Sequence, residues 1–211
     1  MQSLFRSAIT AGIAACALAV AGTGIAQAAP SADRSAPVTQ ASKYLPPAGA
    51  KIVKMTVGGV DRKVAESHGF KVVTAPDGSQ RVVPTASATN PDGTPYHAEV
   101  RPQNEVTGNC GDSYLYIHSV GGYVSEIETG FDLDMGAVAY HWKVNRSDHW
   151  GSDSHSWGGG LGVDEHWHGE WDVHSGGKTW ETAGVVPASN VLLWDGEICH
   201  AGAPSDTTWV F

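Results

Sequence analysis

Positive charge is nearly missing from the second half of this 211-residue sequence, where residues 108–211 hold three Lys or Arg against fifteen Asp or Glu. A surface of that sign repels phosphate backbones and excludes nucleic acid as a partner. Long apolar runs are missing too. The longest lies within the first 29 residues, and Gly22, Thr23 and Gly24 follow it too closely for a membrane span. Cysteine is limited to Cys16, Cys110 and Cys199. Tryptophan is absent before Trp142, so all eight indoles belong to the acidic half. That half also lacks any helical apolar period longer than two turns, which excludes an α-helical core.

What is present begins with a processing signal. Arg6 supplies a positive start, residues 8–20 are apolar, and Ala26-Gln27-Ala28 offers a cleavage site, so residues 1–29 are expected to be removed on export. Ile13-Ala14-Ala15-Cys16 resembles a bacterial lipoprotein box, although the apolar run continues past it. Loss of Cys16 leaves Cys110 and Cys199, which an oxidising compartment is expected to pair. The closed loop of roughly 90 residues corresponds to about 4–5 kcal/mol of chain entropy.

Composition changes near Gly108. Residues 30–107 carry nine Lys or Arg against seven Asp or Glu, and nine of the eleven prolines lie between Pro30 and Pro102. The expected organisation is a signal peptide (1–29), a Pro-rich linker with a small β-hairpin segment (30–107) and an acidic, Trp-rich domain (108–211). In the middle segment, 51–57 and 60–67 flank Gly58-Gly59, while 70–75 faces 80–83 across Pro76-Asp77-Gly78-Ser79. Both patterns predict hairpins. The segment reads as a disordered or weakly folded extension, or as a basic pro-segment trimmed between 85 and 107.

After Gly108, short β-type runs occur at 113–120, 123–135, 137–146, 161–174, 178–186, 191–194, 197–199 and 207–211, with Asp195-Gly196 as a two-residue turn. About eight short strands predict an all-β fold, an antiparallel β-sandwich. Alternation assigns faces. Ile127, Phe131 and Leu133 share one side and Glu126, Glu128, Asp132 and Asp134 the other; Val138, Tyr140, Trp142 and Val144 oppose His141, Lys143 and Asn145. Val163, Trp167, Trp171 and Val173 likewise oppose His166, His168, Glu170, Asp172 and His174, with Gly169 a candidate bulge.

Six of the ten histidines fall between His141 and His174. His166-Trp167-His168 projects two imidazoles from one strand face, where Glu170, Asp172 or His141 completes a candidate zinc or copper site; the competing account is a solvated outer face. No other cofactor is expected. Gly160, His166 and His168 resemble the opening spacing of the cupin motif, but Asp172 stands where Glu is required and no second motif follows. Gly111-Asp112-Ser113 resembles the nucleophile motif of the GDSL esterases without their α/β scaffold or downstream Asp-x-x-His, so Ser113 reads as a strand start. Glu126-Ile127-Glu128 resembles the paired carboxylates of jelly-roll glycosidases, with Gly130 where a third acid would fall and solvated acids as the alternative. Trp142, Trp167, Trp171, Trp194 and Trp209 fall on apolar faces and are expected in the core. Trp150 and Trp157 lie in the polar stretch 145–160, where a loop-borne indole stacks on a sugar or anchors a protein.

These features predict a secreted, extracellular or wall-associated monomer, similar in style to small exported proteins of high-GC bacteria. It is expected to bind a cell-wall polysaccharide or extracellular protein through Trp150 and Trp157 without catalysis. The alternative is a divalent-metal protein or metal-dependent enzyme built on His166, His168, Glu170, Asp172 and His141.

Overall fold

The computed structural model describes residues 45–97 and 109–211. The expected leader with Cys16, the first part of the linker and the compositional break at Gly108 lie outside the described residues. Among the described residues, no helix is long and apolar enough to cross a membrane.

The described residues are built almost wholly of strands: β1 (Lys51–Val60), β2 (Phe70–Thr74), β3 (Gln80–Pro84), β4 (Asn109–Gly121), β5 (Val124–Leu133), β6 (Ala137–Ser147), β7 (Ser152–Gly160), β8 (His166–His174), β9 (Thr179–Val185), β10 (Asn190–Leu193), β11 (Glu197–His200) and β12 (Ser205–Val210). One short helix, α1 (Arg62–Ser67), interrupts them. A ten-stranded antiparallel sheet runs in the order β12-β9-β6-β10-β11-β1-β4-β5-β8, with β7 along the other edge of β6. The sheet folds over on itself in sandwich-like packing. Trp142 of β6 meets Phe131 of β5 with ring centroids 5.2 Å apart, and the Tyr123 N–H of the β4–β5 turn donates to Phe211 O beyond β12.

Alternation accounts for the interior. Leu115, Ile117, Ile127, Phe131, Val144, Val173, Val185 and Val191 are buried around Trp142, which is fully enclosed. Its indole N–H is not orphaned: it donates to Thr129 Oγ1 at 2.9 Å, and that hydroxyl donates to Tyr114 O. A buried ring N–H without such a partner would cost roughly 1–3 kcal/mol. Cys110 and Cys199 form the expected disulfide, with Cα atoms 6.0 Å apart, tying β4 to β11 across the intervening β1.

Several expectations give way. Residues 51–67 are not a hairpin: β1 runs straight through Gly58-Gly59, with a register shift between Val57 and Gly59, because the missing Cβ of Gly58 leaves space for the His200 ring. The chain then enters α1, whose first turn is capped by Asp61, accepting from the Lys63 and Val64 N–H groups at 2.9 and 3.1 Å. β1 is an interior strand between β4 and β11, and the described residues belong to one compact unit. The second hairpin is present as β2–β3, over a small core of Ala65, Phe70 and Ala88.

The stretch 145–160 is also not a loop, since β6 continues to Ser147 and β7 pairs along its length. Val163, expected on a strand, lies in a turn at φ 75°, and β8 begins at His166. Gly169 makes no bulge; it sits in register opposite Thr129, and a Cβ there would enter the Trp167 and Trp157 indoles.

Candidate functional site

The paired strands β5 and β8 turn a row of charge outward. Cross-strand register sets Asp132 opposite His166, Glu128 opposite Glu170 and Glu126 opposite Asp172. His166 Nδ1 lies 2.7 Å from Asp132 Oδ1. The other two pairs set carboxylates directly against each other, an arrangement that disfavours a sheet by a few tenths of a kcal/mol or more. Their neighbours on β4 are Tyr116, opposite Glu128, and His118, opposite Glu126.

His166, His168, Glu170 and Asp172 therefore share one face, as the alternation predicts. His141 does not join them. It leaves β6 on the side opposite Trp142, away from β5 and β8, and is opposed by Asn190 and Gly158. Among the described residues, no group of three or more His, Cys, Asp or Glu is arranged to hold a metal ion.

The outward side of β9 and β12 is chemically different. Trp180 stands directly opposite Trp209, Thr182 opposite Thr207, and Gly184 opposite Ser205. The indoles are 63% and 42% exposed, with ring centroids 5.5 Å apart and planes inclined by 63°. The two threonine hydroxyls are hydrogen-bonded at 2.9 Å. Trp209 was expected in the core; its neighbour Val210 takes the inward position instead and is fully buried.

The phase of β9 follows from what it buries. Thr179, Glu181, Ala183 and Val185 face inward, which forces Trp180 out. Glu181 is fully enclosed, and its two carboxylate oxygens accept from Ser125 Oγ and Ser175 Oγ, each at 2.8 Å. Those hydroxyls supply the hydrogen bonds without which a buried carboxyl is prohibitively costly.

Beyond the threonines, the same face opens into a groove of about 700 Å³, lined among others by Asn145, Ser147, Ser154, Thr182 and Ser205. Two charged residues also line it, the exposed Asp153 and the nearly buried Arg146. Arg146 is committed inward, its Nη1 lying 2.9 Å from Asp148 Oδ2. Burial pushes the Asp148 carboxyl up, but the Trp150 and Gly151 N–H groups and Arg146 together hold it below the usual carboxylate range.

That carboxylate orders the β6–β7 turn, which presents Trp150. The Trp150 and Gly151 N–H groups donate to Asp148 Oδ1 at 2.7 and 2.8 Å. Trp150 is 58% exposed and lies over Gly176 and Gly177, in the turn that leads into β9. Trp157 has a different place: it belongs to β7 and is half-buried against His155 and Trp167, with centroids 4.4 and 5.6 Å away. The exposed indoles are thus Trp150, Trp180 and Trp209, and two of them sit on strands rather than on a loop.

No protein-family model, curated protein or solved structure matches this chain.

Proposed function

We propose that this chain is an exported, non-catalytic binding module that holds an extracellular ligand against the outward face of β9 and β12. The observation that carries this reading is the exposed Trp180–Trp209 pair. Indoles dominate binding hot spots, and each contributes a large apolar area that folding has left in water. A rigid two-stranded platform also presents them with little ordering to be lost on association. Export is supported by the leader-like first 29 residues and by the Cys110–Cys199 bridge, a bond typical of oxidising compartments.

Co-sedimentation of the purified chain with a bacterial cell-wall preparation tests the reading. Retention is expected for the parent and a loss of about ten-fold or more for the Trp180→Ala, Trp209→Ala double variant. Equal retention of both proteins, with the double variant folded by near-ultraviolet circular dichroism, would remove the platform from the function.

A further inference from the structure

We infer that the ligand of this face is a single chain of a neutral polysaccharide, running from the Trp180–Trp209 pair into the groove beside Asn145 and Ser154. The inference rests on the binding-module reading and specifies the occupant of the same site.

Three features select that chemistry. First, the six outward residues of β9 and β12 (Trp180, Thr182, Gly184, Trp209, Thr207 and Ser205) are all uncharged. The balance of −12 over residues 108–211 repels polyanions, and the face offers a polycation no outward carboxylate on these two strands.

Second, Asn145, Ser147, Ser154, Thr182 and Ser205 bring hydroxyl and amide groups to the groove, beside the exposed Asp153 and the inward-committed Arg146. These groups both donate and accept, as sugar hydroxyls do. The apolar C–H face of a sugar ring supplies the matching surface for an indole.

Third, the two indoles pack edge to face at 63°, so that together they present an angled surface rather than a flat strip. One ring can stack on a sugar while the other flanks it, which suits an isolated chain better than a flat crystalline surface. From Trp180 to Gly184 the strand rises about 13 Å, long enough for a chain of several rings rather than one.

The test uses affinity electrophoresis of the whole chain through soluble hydroxyethyl-cellulose, soluble galactomannan and the polyanion polygalacturonate, beside sedimentation with crystalline cellulose and with cell wall before and after protease treatment. The expected result is retardation by at least one of the two neutral polymers and none by polygalacturonate. The delay should fall by about ten-fold both in Trp180→Ala, Trp209→Ala and in Asn145→Ala, Ser154→Ala, which leaves the indoles in place. Retention that depends on the tryptophans but disappears when the wall is protease-treated would overturn the polysaccharide assignment and leave the binding-module reading standing. Preference for polygalacturonate or for crystalline cellulose would likewise overturn the assignment alone. Absence of retention on every probe, or retention indifferent to both indoles, would overturn the assignment and the module reading together.

Discussion

On β5 and β8 the outward rows read Glu126, Glu128, Gly130 and Asp132 against Asp172, Glu170, His168 and His166, whereas on β9 and β12 they read Trp180, Thr182 and Gly184 against Trp209, Thr207 and Ser205. Both rows are cross-strand ladders of the same rolled sheet. Hydration explains the first, because carboxylates and imidazoles on a wet face stay solvated even when like charges oppose. It does not explain the second. Two indoles left in water add little to folding beyond their mutual contact, and they form the surface that the proposed binding role would use.

Because both faces share one core, the largest perturbation should ignore the distinction between them. Replacing Cys110 and Cys199 together by Ser is expected to lower unfolding free energy by about 4–5 kcal/mol, with ligand retention lost at the same denaturant concentration as native circular dichroism. Survival of polysaccharide retention past that transition would mean that the platform folds apart from the disulfide-linked strands.

A smaller effect is expected at the turn carrying Trp150. Asp148→Asn should cost about 1–3 kcal/mol at pH 7, since the Arg146 partner and two turn N–H groups lose a charged acceptor. The folded-state value of Asp148 is depressed, so its contribution is present above the ordinary carboxylate value of about 4 and is lost as pH falls through the lower folded value. Urea unfolding of the parent and variant across pH 2–7, on the order of the range where carboxylates titrate, should therefore show curves that converge at the acid end. A gap that widens toward acid would contradict that sign.

The two faces should then part company in opposite directions. Trp180→Ala with Trp209→Ala is expected to change stability by no more than about 1 kcal/mol, the scale of one cross-strand aromatic pair, while binding collapses. Glu170→Lys should do the reverse on the charged face. Turning the opposition of Glu128 and Glu170 into an attraction is expected to raise stability by roughly 0.2–1 kcal/mol and leave retention unchanged. Thermal unfolding of both variants under one buffer checks the pair of signs.

Much of the scaffold is legible without coordinates. The alternations in β5, β6 and β8 sort Ile127, Phe131, Trp142 and Val173 inward and Glu126, His141 and His168 outward, as period two requires. β7 is illegible for a plain reason: Ser-Asp-Ser-His-Ser-Trp-Gly-Gly-Gly offers no apolar alternation, and pairing with β6 makes it a strand. The interior place of β1 is equally hidden, because nothing local to residues 51–60 says that β4 and β11 lie on either side. Sequence reasoning finds Trp150 as an exposed indole but passes over Trp180 and expects Trp209 in the core. In a strand as short as β12, adjacent Trp209 and Val210 are both apolar, and period two cannot say which of them turns inward.

By itself the sequence determines a β-rich chain with an acidic half, one possible disulfide once Cys16 is set aside, and a surplus of indoles, since charge count, cysteine count and alternation are local properties. Tertiary structure alone decides which indoles meet water. Trp180 faces out only because Glu181 faces in, and a carboxylate can face in only where Ser125 from β5 and Ser175 from the β8–β9 turn arrive to donate to it. Those hydroxyls are 56 and 6 residues away along the chain, and folding brings them to one point.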